Sequence, residues 1–365
     1  MLSKNIKAKR DVKSGGEEMK KTIKIGNKTI GEGYPCFIIA EAGVNHNGEL
    51  ALAKKLVDIA VAAGVDAVKF QKRDIDSILT KEAQARVYSG PHSFGDTYGE
   101  HRKHLELKEG DFFELEKYCD DRNIIFLASG WDKKSIDFLN ELGVCAFKMA
   151  SADIINTPLL EYTAKKGKPM IISTGMANMD EVEGAVNAVK KINDQVILLQ
   201  CTATYPCKFE DVNLNVIRTY KKKFGPLVGY SGHELGIAIT LCAVVIGAVV
   251  VENHFTIDRT MKGPDHAASL EPQGLYKLVR DIRSYEKALG SFEKRCLESE
   301  RPIREKLAKS LISACKILKG TIITAEMLTE KSPGSGVPPY KIKGVIGQKA
   351  KVDIEEDKVI TEEMV

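Results

Sequence analysis

Two histidines, His233 and His254, stand just beyond or at the end of two successive apolar runs, PLVGYS (226–231) and VVVENH (249–254). Imidazoles brought together by neighbouring strands can share a divalent cation and leave positions open for water and a substrate oxygen. The carboxylates nearby, Glu252 and Asp265, and the lack of a cysteine in register favour Mn²⁺ or Mg²⁺ over a structural zinc. Two histidines that only form hydrogen bonds at loop starts are the plainer alternative. Lys69 and Lys148 lie inside the apolar runs VKF and FKM. A lysine so placed is destabilising unless an anion meets it. With Ser129, Ser151, Ser173 and Ser231 the two lysines form a candidate phosphate cradle. A Schiff-base lysine, as in class I aldolases, is the competing chemistry; it calls for one desolvated lysine rather than two among hydroxyls. In GPDHAAS (263–269) a Gly-Pro turn presents Asp265 as an acceptor for a substrate hydroxyl, or as a helix N-cap.

These residues sit at the ends of eight strand-like runs: CFIIAE (36–41), DAVKFQ (66–71), IIFLAS (124–129), CAFKMA (145–150), PMIIST (169–174), VILLQC (196–201), PLVGYS and VVVENH. In order, the ends offer Glu41; Lys69 and Gln71; Ser129; Lys148 and Ser151; Ser173 and Thr174; Thr202 and Tyr205; Ser231 and His233; Glu252 and His254. Continuous apolar strands alternating with amphipathic segments such as LALAKKLVDIAVAAG indicate a parallel sheet buried on both faces. Eight such repeats over roughly 250 residues match an α/β fold of the (β/α)8 TIM-barrel type, in which all eight polar ends face one mouth. A doubly wound sheet is less apt, since no GxGxxG opens a helix. The domain reading is a disordered tail over residues 1–20 (with Met19 as an alternative start), a barrel over 21–289, a linker over 290–305 and a small module over 306–365. Residues 73–108 read as one long connection at the mouth, the kind of loop that binds or covers a substrate. Its histidines, His92, His101 and His104, read as surface residues. Asn45, His46 and Asn47 in AEAGVNHNG read as turn chemistry after the first strand.

Bulk composition excludes several classes of function. The 365 residues carry 54 basic and 50 acidic side chains, a net charge of +4, which supplies no dedicated nucleic-acid surface. No apolar stretch has the roughly 18 residues of a membrane helix, and no secretory signal is recognisable. Eight cysteines without a CxxC pair fit free thiols in a reducing, cytoplasmic setting.

The matching stretches IIAEAGVNHNG, AVKFQ, TYGEHRKHLEL, FKMAS, PMIISTGM, QCTATYP, GYSGHE, HFTIDRTMKGPDHAASLEP and PGSGVPP appear in one order. Through them the chain, from about residue 34 onward, resembles the sialic acid synthase family. The resemblance implies a TIM barrel followed by an antifreeze-like SAF domain, and condensation of phosphoenolpyruvate with N-acetylmannosamine or its 6-phosphate. It implies Mn²⁺ or Mg²⁺ on His233 and His254, acting as a Lewis acid on the sugar aldehyde. Phosphoenolpyruvate would be held by Lys69, Ser129, Lys148, Ser151, Ser173 and Ser231. The sugar would be held by Gln71, Tyr205 and Asp265, with Glu41 and Glu252 beside the reacting centre. It also implies a homodimer whose SAF domain covers the partner's barrel mouth. Two positions depart from the bacterial free-sugar pattern: Ala203 stands where Asn is common, and Ser332 where an Arg commonly precedes PG. HSFGDTYGEHRKHLEL and GYSGHE are closer to the animal type, which uses the 6-phosphate. Synthases of legionaminic, pseudaminic or deaminated nonulosonic acids are the nearest alternatives; a non-catalytic carbohydrate-binding protein is the remaining one.

Overall fold

The computed structural model describes residues 21–365, so the tail expected over 1–20 lies outside the described residues. The chain divides after Leu289 into two compact units. In the first, a hairpin of β1 (Ile23–Ile25) and β2 (Lys28–Ile30) precedes eight strands: β3 (Phe37–Gly43), β4 (Ala67–Lys72), β5 (Ile125–Gly130), β6 (Phe147–Met149), β7 (Met170–Ser173), β8 (Val196–Cys201), β9 (Val228–Gly232) and β10 (Val250–His254). Each pairs in parallel with the next, and β10 closes on β3, giving an eight-stranded barrel.

Strand parity explains both its core and its mouth. Successive side chains alternate between faces. One set, including Ile38, Val68, Phe126, Ile172, Leu198 and Val251, packs outward with helical residues such as Leu56, Leu115 and Leu139. The opposite set, including Phe37, Ile39, Ala67, Leu127, Ile171, Ile197 and Val250, fills the interior. Ile23, Ile25 and Ile30 of the hairpin join that inner cluster and plug the bottom of the barrel. The sequence reading assigns no strand to these residues, because a pair of three-residue strands carries too little periodicity. Asp66 fixes the same end. It accepts from Ile38 N at 2.9 Å, from Lys28 Nζ at 2.7 Å and from Arg283 Nη2 at 2.7 Å, tying β3, the hairpin and helix Pro272–Ala288 together.

The connection over 73–108 differs from a plain loop. It folds into three short helices, Ile75–Ile78, Lys81–Ala85 and Tyr98–His104. Side-chain caps make them: Asp74 accepts from Ser77 N at 2.8 Å, Thr80 from Ala83 N at 3.1 Å, and Thr97 with Glu100 forms a capping box. Such helices are too short to display an apolar period.

The second unit holds the antiparallel strands β11 (Ser310–Ser313) and β12 (Leu328–Lys331) around Leu311, Ile317, Ile323, Val337, Val345, Ile354 and Ile360. A helix, Arg301–Leu307, with Pro302 in its first turn, occupies the end of the stretch read as linker. Ser332 donates to Leu307 O at 3.0 Å and accepts from Lys309 Nζ at 3.1 Å within this unit.

Candidate active site

Continuing the inward parity of each barrel strand by two residues replaces apolar side chains with polar ones. Ile39 is followed by Glu41, Ala67 by Lys69 and Gln71, Leu127 by Ser129, Ala146 by Lys148, and Ile171 by Ser173. Leu199 leads to Cys201, Gly229 to Ser231 and His233, and Val250 to Glu252 and His254. The ladder sets these residues side by side: His254 opposite Glu41, Glu41 opposite Lys69, Gln71 opposite Ser129, Ser129 opposite Lys148, and Glu252 opposite Ser231. Ser151, Tyr205 and Asp265 enter from loops beyond the strands. All thirteen candidate side chains line a single cavity of about 420 Å³ at the C-terminal mouth.

At the floor of this cavity lysines and carboxylates alternate. Lys69 Nζ lies 2.7 Å from Glu41 Oε2 and 3.5 Å from Glu252 Oε1; Lys148 Nζ lies 3.6 Å from Glu252 Oε1 and donates to Ser173 Oγ at 2.8 Å. All four ionisable groups are 5 % exposed or less. Two positive and two negative charges balance, which is what keeps so many charges inside a barrel. Burial pushes the Glu41 carboxyl up to about 7 against the pull of Lys69. Burial also opposes charge on Lys69, but Glu252 and Glu41 more than offset it and its pKa is raised. Lys148, with burial only partly offset by Glu252 and with Lys69 beside it, is lowered. Gln71 Nε2 donates to Glu41 Oε1 at 3.3 Å, and Gly175 N donates to Ser151 Oγ at 3.0 Å.

The two imidazoles lie beside this floor with ring centroids 5.5 Å apart. His233 Nδ1 faces the Thr202 carbonyl at 2.7 Å. A carbonyl only accepts, so Nδ1 carries a proton; Nε2 lies 2.8 Å from the Tyr205 hydroxyl, and although burial opposes charge on this ring, Cys201, the Thr202 carbonyl and Glu252 raise its pKa. His254 Nδ1 is buried without a hydrogen-bond partner, 4.0 Å from Asp265 Oδ2. Burial, then the charges of His233, Lys69 and Lys148, holds His254 well below the usual imidazole range and hence neutral. A neutral imidazole with an orphaned nitrogen, next to one whose tautomer is fixed by a backbone carbonyl, fits a divalent cation. No group of three or more His, Cys, Asp or Glu among the described residues surrounds one point, so an ion there would draw its remaining ligands from water or substrate.

Several expectations need correction. Thr174 and Thr202 have the outward parity: Thr174 accepts from Tyr220 OH at 3.1 Å, and Thr202 Oγ1 donates to Asp211 O at 2.8 Å. Neither lines the cavity; Thr202 contributes only its carbonyl. His101 is not a surface residue but is 2 % exposed, its ring 4.5 Å from that of Tyr88 and 6.0 Å from that of Phe94. Asn45 and Asn47 do more than shape a turn. Asn45 Nδ2 donates to Phe255 O and Ser269 Oγ, and Asn47 Nδ2 to Lys262 O, so both clamp the loop after β3 to the segment that carries Asp265. Cys201, Arg73 and Arg102, not expected from the sequence, also line the cavity. Parity identifies Cys201, two residues beyond the inward Leu199. No local signal identifies the arginines. Ala203, at the position that departs from the bacterial pattern, lines the cavity as well.

Comparison with known proteins identifies the family and the fold. Residues 56–294 match the NeuB family and residues 308–365 match the SAF domain. The chain is 48% identical over 338 residues to the human protein named N-acetylneuraminate-9-phosphate synthase, covering 92% of this chain and 94% of that one. It is 42% identical to the N,N'-diacetyllegionaminic acid synthase of Legionella pneumophila, covering 90% and 94% respectively. Among solved structures, the N-acetylneuraminic acid synthetase of Leptospira borgpetersenii, in complex with citrate, superposes with a TM-score of 0.68 at 37% identity over 79% of this chain and 96% of that one. With its barrel, its polar mouth and these matches taken together, the chain belongs to the NeuB family and ends in a SAF domain.

Proposed function

We propose that the protein condenses phosphoenolpyruvate with N-acetylmannosamine or its 6-phosphate, giving N-acetylneuraminate or its 9-phosphate and inorganic phosphate. The observation that carries this reading is the balanced floor, Glu41–Lys69–Glu252–Lys148–Ser173, next to two imidazoles in one cavity. An anionic enol phosphate needs cations and hydroxyls for its phosphate and carboxylate. An aldehyde needs an electrophilic activator beside it.

In the reaction C3 of phosphoenolpyruvate attacks the aldehyde carbon of the open-chain sugar, forming the new C–C bond, and the aldehyde oxygen gains a proton. Water adds at C2, the C2–O bond breaks, phosphate departs and a ketone remains. Lys69, Lys148 and the serines at 129, 151, 173 and 231 hold the phosphate and carboxylate and stabilise charge that grows on the departing phosphate. Glu41 and Glu252, beside the reacting centre, give and take the protons. Gln71, Tyr205 and Asp265 orient the sugar, and His233 and His254 hold Mn²⁺ or Mg²⁺. When bound, that ion supplies Lewis-acid polarisation of the aldehyde oxygen. The chain works as a homodimer in the cytoplasm, with the SAF domain of one subunit over the barrel mouth of the other; light scattering of the purified protein tests that assembly.

Phosphate release from phosphoenolpyruvate with Mn²⁺ should be measured with N-acetylmannosamine, mannose, their 6-phosphates, and the sugar precursors of legionaminic and pseudaminic acids. Turnover with an N-acetylmannosamine substrate supports the reading; turnover confined to the other precursors moves the protein to a sister synthase. A second reading, a Schiff-base lyase, draws on the lowered pKa of Lys148. Borohydride trapping in the presence of pyruvate would label that lysine only under the lyase chemistry.

A further inference from the structure

The cavity has a second cationic centre, at its rim, which the condensing chemistry leaves without a task. Arg73 and Arg102 both reach it from the segment between β4 and helix Glu109–Asp120. Arg73 is neutralised: its Nε donates to Glu106 Oε1 at 2.5 Å and its backbone N to Glu106 Oε2 at 3.2 Å. Arg102 has no equivalent. Among the described residues its guanidinium has neither a carboxylate at ion-pair distance nor a hydrogen-bonded acceptor, and its Nε is buried unpaired. Burial, then the neighbouring Arg73, lowers its pKa, and Tyr98, Glu106 and Asp265 offset this only in part. A desolvated guanidinium facing another one is destabilising until an anion arrives.

What holds it there is aromatic. The Arg102 guanidinium carbon lies 5.7 Å from the Trp131 ring and 5.6 Å from the Tyr98 ring; that of Arg73 lies 5.9 Å from the same tryptophan. Trp131 Nε1 in turn donates to Ser129 Oγ at 3.2 Å, on the floor. One indole thus spans the interval between two anion sites, the floor with Lys69 and Lys148 and the rim with Arg102. Asp265, which orients the sugar, is close enough to feel both arginines. A sugar with its aldehyde at the imidazoles and its hydroxyls at Asp265 would extend its far end toward the rim. A guanidinium fork suits the oxygens of a phosphate monoester at that end.

We infer that Arg102, with Arg73 behind it and Trp131 alongside, binds the phosphate of a phosphorylated amino-sugar substrate, so that the protein selects the 6-phosphate over the free sugar. The inference rests on the synthase reading above. Its test is the ratio of kcat/KM for N-acetylmannosamine 6-phosphate to that for N-acetylmannosamine, from phosphate release, in the wild-type protein and in Arg102→Met and Arg102→Lys, with thermal melts to show that the variants fold. The wild type should favour the phosphorylated sugar. Arg102→Met should reduce the ratio roughly 10- to 100-fold, the value of a charge-assisted contact, and Arg102→Lys should recover part of it. A wild type that favours the free sugar, or a ratio unmoved in Arg102→Met, overturns the rim site and leaves the synthase standing. Absence of turnover with either sugar overturns the synthase reading and this one with it.

Discussion

The floor and the rim of the cavity solve opposite electrostatic problems. At the floor, four buried charges cancel in a row set by strand register, and each is within 4 Å of an opposite partner. At the rim, Arg102 is held by aromatic faces and, among the described residues, has no carboxylate at ion-pair distance. The floor is built on residues that cannot shift without reversing a strand's parity. The rim draws its two arginines from the connection between β4 and helix Glu109–Asp120, Arg102 from a short capped helix, and its tryptophan from the residue after β5. A fold that fixes its reaction on strands and its selectivity on a connecting segment can change the second without disturbing the first.

The comparison is broken most directly by chelation. If the floor acts with an ion on His233 and His254, EDTA should abolish phosphate release and Mn²⁺ restore it. His254→Ala should lose the bound metal, counted by elemental analysis of the purified protein. Activity indifferent to chelation would remove the ion from the floor altogether. Next in size is Lys148→Met, which leaves Glu252 with Lys69 alone and, under the proposed function, would remove a cation from the departing phosphate. A fall in kcat of about 100- to 1,000-fold is expected, together with a loss of stability from the unbalanced carboxylate. A loss below tenfold would mean that the row of charges is structural rather than reactive.

Much of the floor was legible because parity and strand order are sequence properties. Ile39 followed two positions on by Glu41, or Val250 by Glu252 and His254, already states which face a side chain takes. The same rule, applied strictly, assigns Cys201 to the cavity and Thr174 and Thr202 to the helix side. The rim was not legible, because Arg73 and Arg102, in a connection that has no period, meet Trp131 after β5 only through three-dimensional packing. His101 looked like a surface residue for the same reason: its burial depends on Tyr88 and Phe94 folding over it. The hairpin that plugs the barrel was hidden by its brevity.

Arg73 also acts on a second buried group, the imidazole of His46. It sits in the turn after β3, its Nδ1 accepts from Gly48 N at 3.0 Å, and its ring lies 5.9 Å from that of Phe70. Burial, then the charge of Arg73, lowers its pKa to about 3. The unfolded chain, with an imidazole pKa of about 6.5, therefore binds the proton more tightly than the folded one. The stability contributed by neutral His46 is complete above about pH 6.5 and is lost as pH falls toward 3. Between pH 7 and pH 5 the loss from this residue is about 2 kcal/mol. His46→Gln should flatten the pH dependence of urea unfolding by that amount. An unchanged slope would show that the folded imidazole takes up a proton as readily as the unfolded one.

The smallest effect is the most informative about the connection itself. Trp131 touches the floor through Ser129 and the rim through two guanidiniums. Replacing it by leucine keeps an apolar filler but removes the hydrogen bond and the ring face. A cation–π contact in a partly desolvated site contributes about 0.5–2 kcal/mol, so KM for the phosphorylated sugar should rise roughly 2- to 30-fold in Trp131→Leu. If the two anion sites are separable, KM for phosphoenolpyruvate should rise by less, since under the proposed function its phosphate and carboxylate would rest on Lys69 and Lys148 rather than on the indole. Equal increases for both substrates would mean that Trp131 positions Ser129 as firmly as it does Arg102. Floor and rim would then be a single binding surface, and selectivity at the rim could not change without cost to the chemistry beneath it.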